Sequence, residues 1–215
     1  NLLEVSKKCG KKAIAVLTAM DEPLGNKIGN WLEVEESLEM LTGVDIPDSN
    51  KVNNVLCGAM IYLGGKANSL EEGEKISQEK LSDGTALEKF YEMVSIQNGD
   101  LDYIKDWKNL KRPAHSKIIR AQSNGFISEM KAVDFGFAAI DLGCGRKKTD
   151  DKIDYLAGII LKKKVGSEVK PGEPICEIFA EEESKLFHAE ERIHKAIKFT
   201  DKKPEEKKLI IDILD

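Results

Sequence analysis

The chain has 215 residues, 41% hydrophobic and 33% charged, with a formal net charge of −5, enough apolar content for one large core or two smaller ones and too much for a disordered tail. Lysine is frequent, but Asp and Glu are interspersed with it, so there is no excess positive field for nucleic acid or an anionic membrane. Neither a long uncharged span nor a basic-then-apolar signal segment is present. The four cysteines, Cys9, Cys57, Cys144 and Cys176, are scattered without metal-ligand spacing and are expected to be reduced, in a cytosolic context.

The chain opens in an amphipathic helix marked by Leu2, Leu3 and Val5, with Cys9 before Gly10. Residues 13–17 are an unbroken apolar run, the pattern of a strand covered on both faces in the parallel sheet of an α/β domain. Pro23, Gly25 and Gly29 then interrupt regular structure. Asn30 with Glu33 three residues on reads as a capping box, so a helix is expected over 31–42, with Trp31, Val34, Leu38 and Leu41 as its apolar stripe and Gly43 ending it. The unit is strand, loop, helix. In open α/β sheets ligands bind beyond the carboxyl ends of strands, which puts loop 18–29 where chemistry would be done.

After Pro47-Asp48-Ser49, Val52, Val55, Leu56, Ala59, Met60 and Leu63 line one helix face, closed by Gly64-Gly65. Ser69 with Glu72, and Thr85 with Glu88, predict helices starting near Leu70 and Ala86, and Asn98-Gly99-Asp100 closes the second. Pro113 marks a change of pattern. Residues 117–121 and 126–130, joined through Ser123-Asn124-Gly125, read as a hairpin, and 133–142 as a buried helix stopped by Gly143-Cys144-Gly145. Residues 158–161 and 175–179 are apolar strands, 182–199 a helix, and 208–214 an edge strand flanked by charge. The expected organisation is residues 1–112 as the latter part of an α/β domain and 113–215 as a small α+β domain.

Most candidate sites have a plain structural reading. Gly143-Cys144-Gly145-Arg146 could be an anion nest, but it follows a helix instead of opening one, which favours a tight turn. The Lys162-Lys163-Lys164 run reads as a solvated hairpin end. His188 and His194 stand six apart and face different ways, His115 is isolated, and no serine has a nucleophile elbow. No catalytic residue is expected in this chain.

Several segments resemble the thymidine and pyrimidine nucleoside phosphorylases: TAMDEPLG followed by IGNWLEVEESLEMLTG, then NGFISEM, LGCGRKKTDDKIDYLAGI and KVGSEVKPGEPICEI, in the family's order and spacing. Cys144 departs from the family's usual Gly. The resemblance implies the second half of a sheet-and-helix α/β phosphorylase domain, followed by a barrel-sandwich, hammerhead-like α+β domain. It implies phosphorolysis of thymidine or uridine by inorganic phosphate to free base and pentose 1-phosphate, in a cytoplasmic homodimer, without an organic cofactor. The family's glycine-rich phosphate loop and its base-holding Arg, Ser and Lys belong to segments that would precede Asn1, so this portion alone is expected to be inactive. The resemblance also implies a monovalent or calcium-like cation held by the backbone carbonyls of Leu24 and Lys27 and the carboxylate of Glu36, a sensible oxygen set for a hard ion. The competing reading is that Glu33, Glu35 and Glu36 simply complement a helix N-terminus and that Lys27 is solvated.

Two other functions fit parts of the sequence. One is a non-catalytic binding or structural module. The other is a biotinyl or lipoyl carrier, suggested by the Val165-Gly166 to Ile175 hairpin and Glu129-Met130-Lys131-Ala132, although Lys131 precedes the hairpin whereas a carrier lysine comes after it.

Overall fold

In chain order the computed structural model, which describes residues 2–215, contains α1 (Leu2–Lys8), β1 (Ala15–Thr18), β2 (Lys27–Ile28), α2 (Asn30–Leu41), α3 (Pro47–Leu63), α4 (Leu70–Ser82), α5 (Thr85–Ile96) and α6 (Leu101–Lys105). After a 3-10 turn at Trp107–Asn109 come β3 (His115–Arg120), β4 (Gly125–Met130), α7 (Ala132–Leu142), β5 (Gly158–Leu161), β6 (Glu168–Val169) and β7 (Pro174–Ala180). The chain closes with α8 (Ser184–Ala196), β8 (Ile197–Thr200) and β9 (Ile210–Leu214). Helix and sheet are thus mixed. Two compact units are interleaved in sequence: Asn1–Ala19, Leu38–Lys105 and Lys207–Asp215 form one, Met20–Ser37 and Asp106–Glu206 the other. A single cut between residues 112 and 113 matches the linear change of pattern. The units do not, because β9 returns to pair with β1 and residues 20–37 lie with the later part of the chain.

In the first unit β1 pairs antiparallel with β9, from Ala15 opposite Leu214 to Thr18 opposite Ile210. None of the four β1 residues is buried. The expectation of a strand covered on both faces is therefore corrected: among the described residues its sheet has two antiparallel strands and no parallel neighbour. The edge-strand reading of 208–214 agrees with β9. Helix α3 starts on Pro47, whose missing N–H costs nothing at a helix's first position. At α4 the Ser69 hydroxyl accepts the Glu72 N–H, while the Glu72 carboxylate accepts from Asn68 N–H at 2.7 Å instead of reaching Ser69. At α5 the cap acceptor is Asp83, which takes both the N–H and the hydroxyl of Thr85. Helices α3 and α4 pack closely on each other. Their crossing is set by Gly58 and Gly73, since a Cβ on Gly73 would lie 2.3 Å from the Gly58 carbonyl oxygen.

The second unit holds two antiparallel sheets, in the orders β2-β5-β7-β3 and β6-β4-β8. Both contribute to one buried cluster, with Ile119, Ile159 and Ile178 from the first sheet, Ile127 and Met130 from the second, and Phe135 from α7. Strand β7 lies between β5 and β3, and its Ile175, Cys176, Ile178, Phe179 and Ala180 are all buried, which accounts for its nearly unbroken apolar sequence. The predicted hairpin of β3 and β4 is corrected. The strand extents are close to those expected, but β3 pairs with β7 and β4 with β6 and β8. Gly125, at φ 123, brings β4 so near the Thr200 carbonyl that a Cβ would sit 2.4 Å from it, and this close approach commits β4 to the other sheet. The final helix is also shorter than the expected 182–199. It stops at Ala196, because Ile197 to Thr200 forms a ladder with β4 in which Ile197 stands opposite Met130.

The α3–α4 crossing yields a packing test. Gly73→Ala should lower stability by roughly 1–3 kcal/mol through overpacking. Gly136→Ala, in exposed α7 backbone with nothing within 4 Å of a new Cβ, should raise it by about 0.5–1 kcal/mol. Urea unfolding of the two variants checks both signs.

Candidate functional site

Helix α2 and the loop before it are organised by charge placed inside the unit. The sequence pattern predicts a buried stripe of Trp31, Val34, Leu38 and Leu41, yet Trp31, Val34 and Leu41 are half-buried and the fully covered positions are Leu32, Glu35, Glu36 and Leu38. Two neighbouring carboxylates thus face inward. The helix begins one residue earlier than the capping box places it. Gly29 accepts the Glu33 N–H through its carbonyl, and its own N–H donates to Glu33 Oε1 at 3.2 Å. Asn30 instead donates its side-chain amide to the Cys144 carbonyl at 2.7 Å.

Glu35 is bound from two directions. The Lys27 ammonium lies 2.6 Å from Oε1, and the Arg112 guanidinium grips both oxygens, Nη1 to Oε2 at 2.8 Å and Nη2 to Oε1 at 2.7 Å. The side chains of Lys27 and Glu35 are 9% and 8% exposed, so this pair sits in a medium where bidentate geometry matters most. Arg112 also stacks over the Phe179 ring, 5.8 Å from its centroid. Burial pushes the Glu35 carboxyl up, but the bonds from Arg112 and Lys27 outweigh it and hold it below the usual glutamate value. The reading of Lys27 as solvated is corrected.

Glu36 turns to the loop. Its Oε1 accepts the Asn26 N–H at 2.6 Å. Glu36 is thus tied to the residue before Lys27, while Leu24, 44% exposed, lies two positions before Asn26 in the chain. Leu161 N–H bonds the Asn26 carbonyl at 2.7 Å, and Lys27 stands opposite Ile160. Because hydrogen-bonded positions alternate along an antiparallel ladder, the Lys27 carbonyl is directed away from β5, off the outer edge of the sheet.

A residue that sequence reasoning missed completes the arrangement. Lys164 extends its ammonium to the Pro23 and Gly25 carbonyl oxygens, 2.8 Å from each. The expectation of a solvated lysine run holds for Lys162 and Lys163, which meet Glu177 at 3.1 Å and Glu173 at 3.8 Å at the surface, and is corrected for Lys164, which enters the loop. The only local signal is the Gly166 turn just beyond the run. That turn fixes Lys164 through two bonds with Ser167 and is itself tied to Ile127 of β4.

The other candidates resolve into structure. Gly143 takes φ 113 at the end of α7, its N–H bonds Ile140 O, and the Cys144 N–H bonds Ala139 O. Those two amides cap a helix and are not turned outward to an anion. Burial pushes the thiols of Cys144 and Cys176 up to about 12, so neither is a ready nucleophile. Asp141 is held by Lys147 at 2.6 Å and Arg192 at 2.8 Å, in a polar cleft that His188 also lines. His194 lies 3.9 Å from Glu190. Lys131, the carrier-like lysine, directly precedes α7 and is not at a hairpin tip. Among the described residues no group of three His, Cys, Asp or Glu side chains could hold a metal, and no helix is long and apolar enough to cross a membrane.

Residues 2–87 match the family described as Glycosyl transferase family, a/b domain, and residues 126–200 match the Pyrimidine nucleoside phosphorylase C-terminal domain. The pyrimidine-nucleoside phosphorylase of Geobacillus stearothermophilus is 35% identical over 182 residues, and that of Bacillus subtilis (strain 168) is 36% identical over 183. Each alignment covers 85% of this chain and 42% of the relative. The enzyme of the same name from Staphylococcus haemolyticus is 34% identical over 183 residues. The chain thus spans about 42% of the length of the curated relatives it matches.

The Glu35 centre sets a stability test. Its lowered carboxyl pKa means that the bonds contribute fully above the unfolded value near 4.3 and are lost as pH falls through the folded value. Glu35→Gln, which leaves the Lys27 charge buried, should cost about 3 kcal/mol at pH 7. The gap between native chain and variant should narrow as pH falls below about 4, as measured by denaturant unfolding across pH.

Proposed function

Since this chain belongs to the pyrimidine-nucleoside phosphorylase family, we propose that it works as the later portion of an enzyme that cleaves thymidine or uridine with inorganic phosphate, releasing free base and pentose 1-phosphate. The observation that carries this reading is similarity at about one residue in three along 85% of the chain, together with the match, in order, to a glycosyl transferase family a/b domain and a pyrimidine nucleoside phosphorylase C-terminal domain. The segments that bind phosphate and base in this reading lie outside these 215 residues, and the intact enzyme acts as a cytoplasmic homodimer. Catalysis there is positioning plus electrostatics. This chain's share is to hold loop 20–29 and α2 rigidly, and its second unit takes the barrel-sandwich, hammerhead-like arrangement suggested by two sheets around one core.

Within that enzyme, the carbonyls of Leu24 and Lys27 and the Glu36 carboxylate hold a monovalent or calcium-like cation. The donor set is all oxygen, as a hard ion requires. Support comes from the outward direction of the Lys27 carbonyl and from a buried carboxylate already bonded to the same turn. The ion would supply fixed positive charge between this turn and an anionic substrate site.

Assay of free-base release from thymidine and uridine tests the reading. The intact protein should show release that depends on phosphate, and the 215-residue chain alone should show none above background. Phosphate-dependent release by the chain alone would place the chemistry within it, while none from a folded intact protein would end the proposal.

A further inference from the structure

The Lys164 ammonium has a role that the cation site does not assign. Pro23 and Gly25 are buried, with the exposed Leu24 between them, and Gly25 adopts φ 69. That left-handed residue bends the chain so that carbonyls two positions apart converge on one point, and the point holds Nζ at 2.8 Å from both. On the other side of the turn, Glu36 accepts the Asn26 N–H. The loop is thus held by a positive charge on its carbonyls and a negative charge on its amide. The positive charge is covalently part of the chain. It is presented by a turn in which Lys164 N–H bonds Ser167 Oγ and Ser167 N–H bonds Lys164 O. This turn is anchored in its own right by Gly166 N–H to Ile127 O and Ile127 N–H to Ser167 O. A lysine whose stem starts on so constrained a turn reaches the loop with little loss of conformational entropy.

We propose that the Lys164 ammonium is a built-in cation that orders residues 23–26, making it a positioning residue for the Leu24 and Lys27 carbonyls. Ordering of the loop by Lys164 stands without the proposed cation site, and only the binding of a dissolved ion to that loop rests on it. With Lys164 in place the loop keeps its shape without a dissolved ion, and an ion binds to a turn already formed. Without it, two buried carbonyls lose the ammonium and the turn must recruit a cation from solution or open to water. An arginine carries the same charge and can donate to both oxygens, so it replaces lysine in part.

Hydrogen exchange of the Asn26 amide reads the loop directly, with amides of β7 as an internal reference. The native chain, Lys164→Met and Lys164→Arg are compared in choline chloride, potassium chloride and calcium chloride at matched ionic strength. The expected result is native Asn26 protection that changes less than about twofold between choline and potassium, with Lys164→Met losing about tenfold or more in choline. Lys164→Arg should retain most of the protection, and β7 should not change in any variant. Partial recovery of Lys164→Met in potassium or calcium supports both the built-in cation and the ion site. Loss without recovery in either salt supports the built-in cation and rejects the ion site. Three results overturn the proposal: native protection collapsing in choline, full protection of Lys164→Met in choline, or an equal fall at β7, which would make Lys164 a general stabiliser.

Discussion

Two adjacent carboxylates turned into the interior from the middle of α2 are the constraint on which this edge of the second unit depends. A buried charge without a partner is far more costly than a lost surface contact, so each must be met by a group of fixed position. Glu35 is met by Lys27 of β2 and by Arg112 just before β3, and Glu36 by the Asn26 amide. These contacts join the edge strand, the helix and the segment leading into the sheet. The short strand β2 could hardly keep its place through its two-residue ladder with β5 alone. Its lysine ties it to α2 as well, and Gly29 and Gly158 let the backbones meet where a Cβ on either would collide with a carbonyl.

The loop before α2 gains its shape from groups that are far apart in the chain. Lys164 comes from the β5–β6 turn, and the Ala132 N–H bonds Asp21 O at the loop's start. Rigid support of this kind is what a catalyst working by positioning needs from residues that never touch substrate, since small displacements of a loop cost rate steeply. The charges that fix the turn are the chain's own.

The glycines at 143 and 145 illustrate how one group of amides serves a single purpose. Consecutive N–H groups near an arginine suit an anion in the abstract. At this helix end the amides of Gly143 and Cys144 bond the Ile140 and Ala139 carbonyls, and an amide that closes a helix has no donor left to offer. The same economy appears in the lysine run, where each of three successive side chains finds a different acceptor because a strand and its turn point them to different sides.

The sequence by itself determined what depends on neighbours a few residues apart. Helices α4, α5 and α7 fall within a residue of their expected starts, because caps and the glycines that end them act locally, whereas α3 takes in Pro47-Asp48-Ser49, expected to precede it, because proline is accepted at a helix's first position. The apolar runs of β5 and β7 were legible for the same reason, and the family was readable from short motifs whose residues are contiguous. Only the tertiary structure decided which strands pair. Strands β3 and β4 have hairpin spacing but belong to different sheets, and residues 197–200 continue a helical apolar pattern yet become a strand once β4 lies alongside. It also decided which face of α2 is buried, since the periodic stripe pointed to Trp31 and Val34 while charge pairing turned Glu35 and Glu36 inward. Beyond the Gly166 turn, nothing local marked Lys164, because the Pro23 and Gly25 carbonyls that its ammonium reaches are more than a hundred residues away and backbone acceptors leave no side-chain pattern to read.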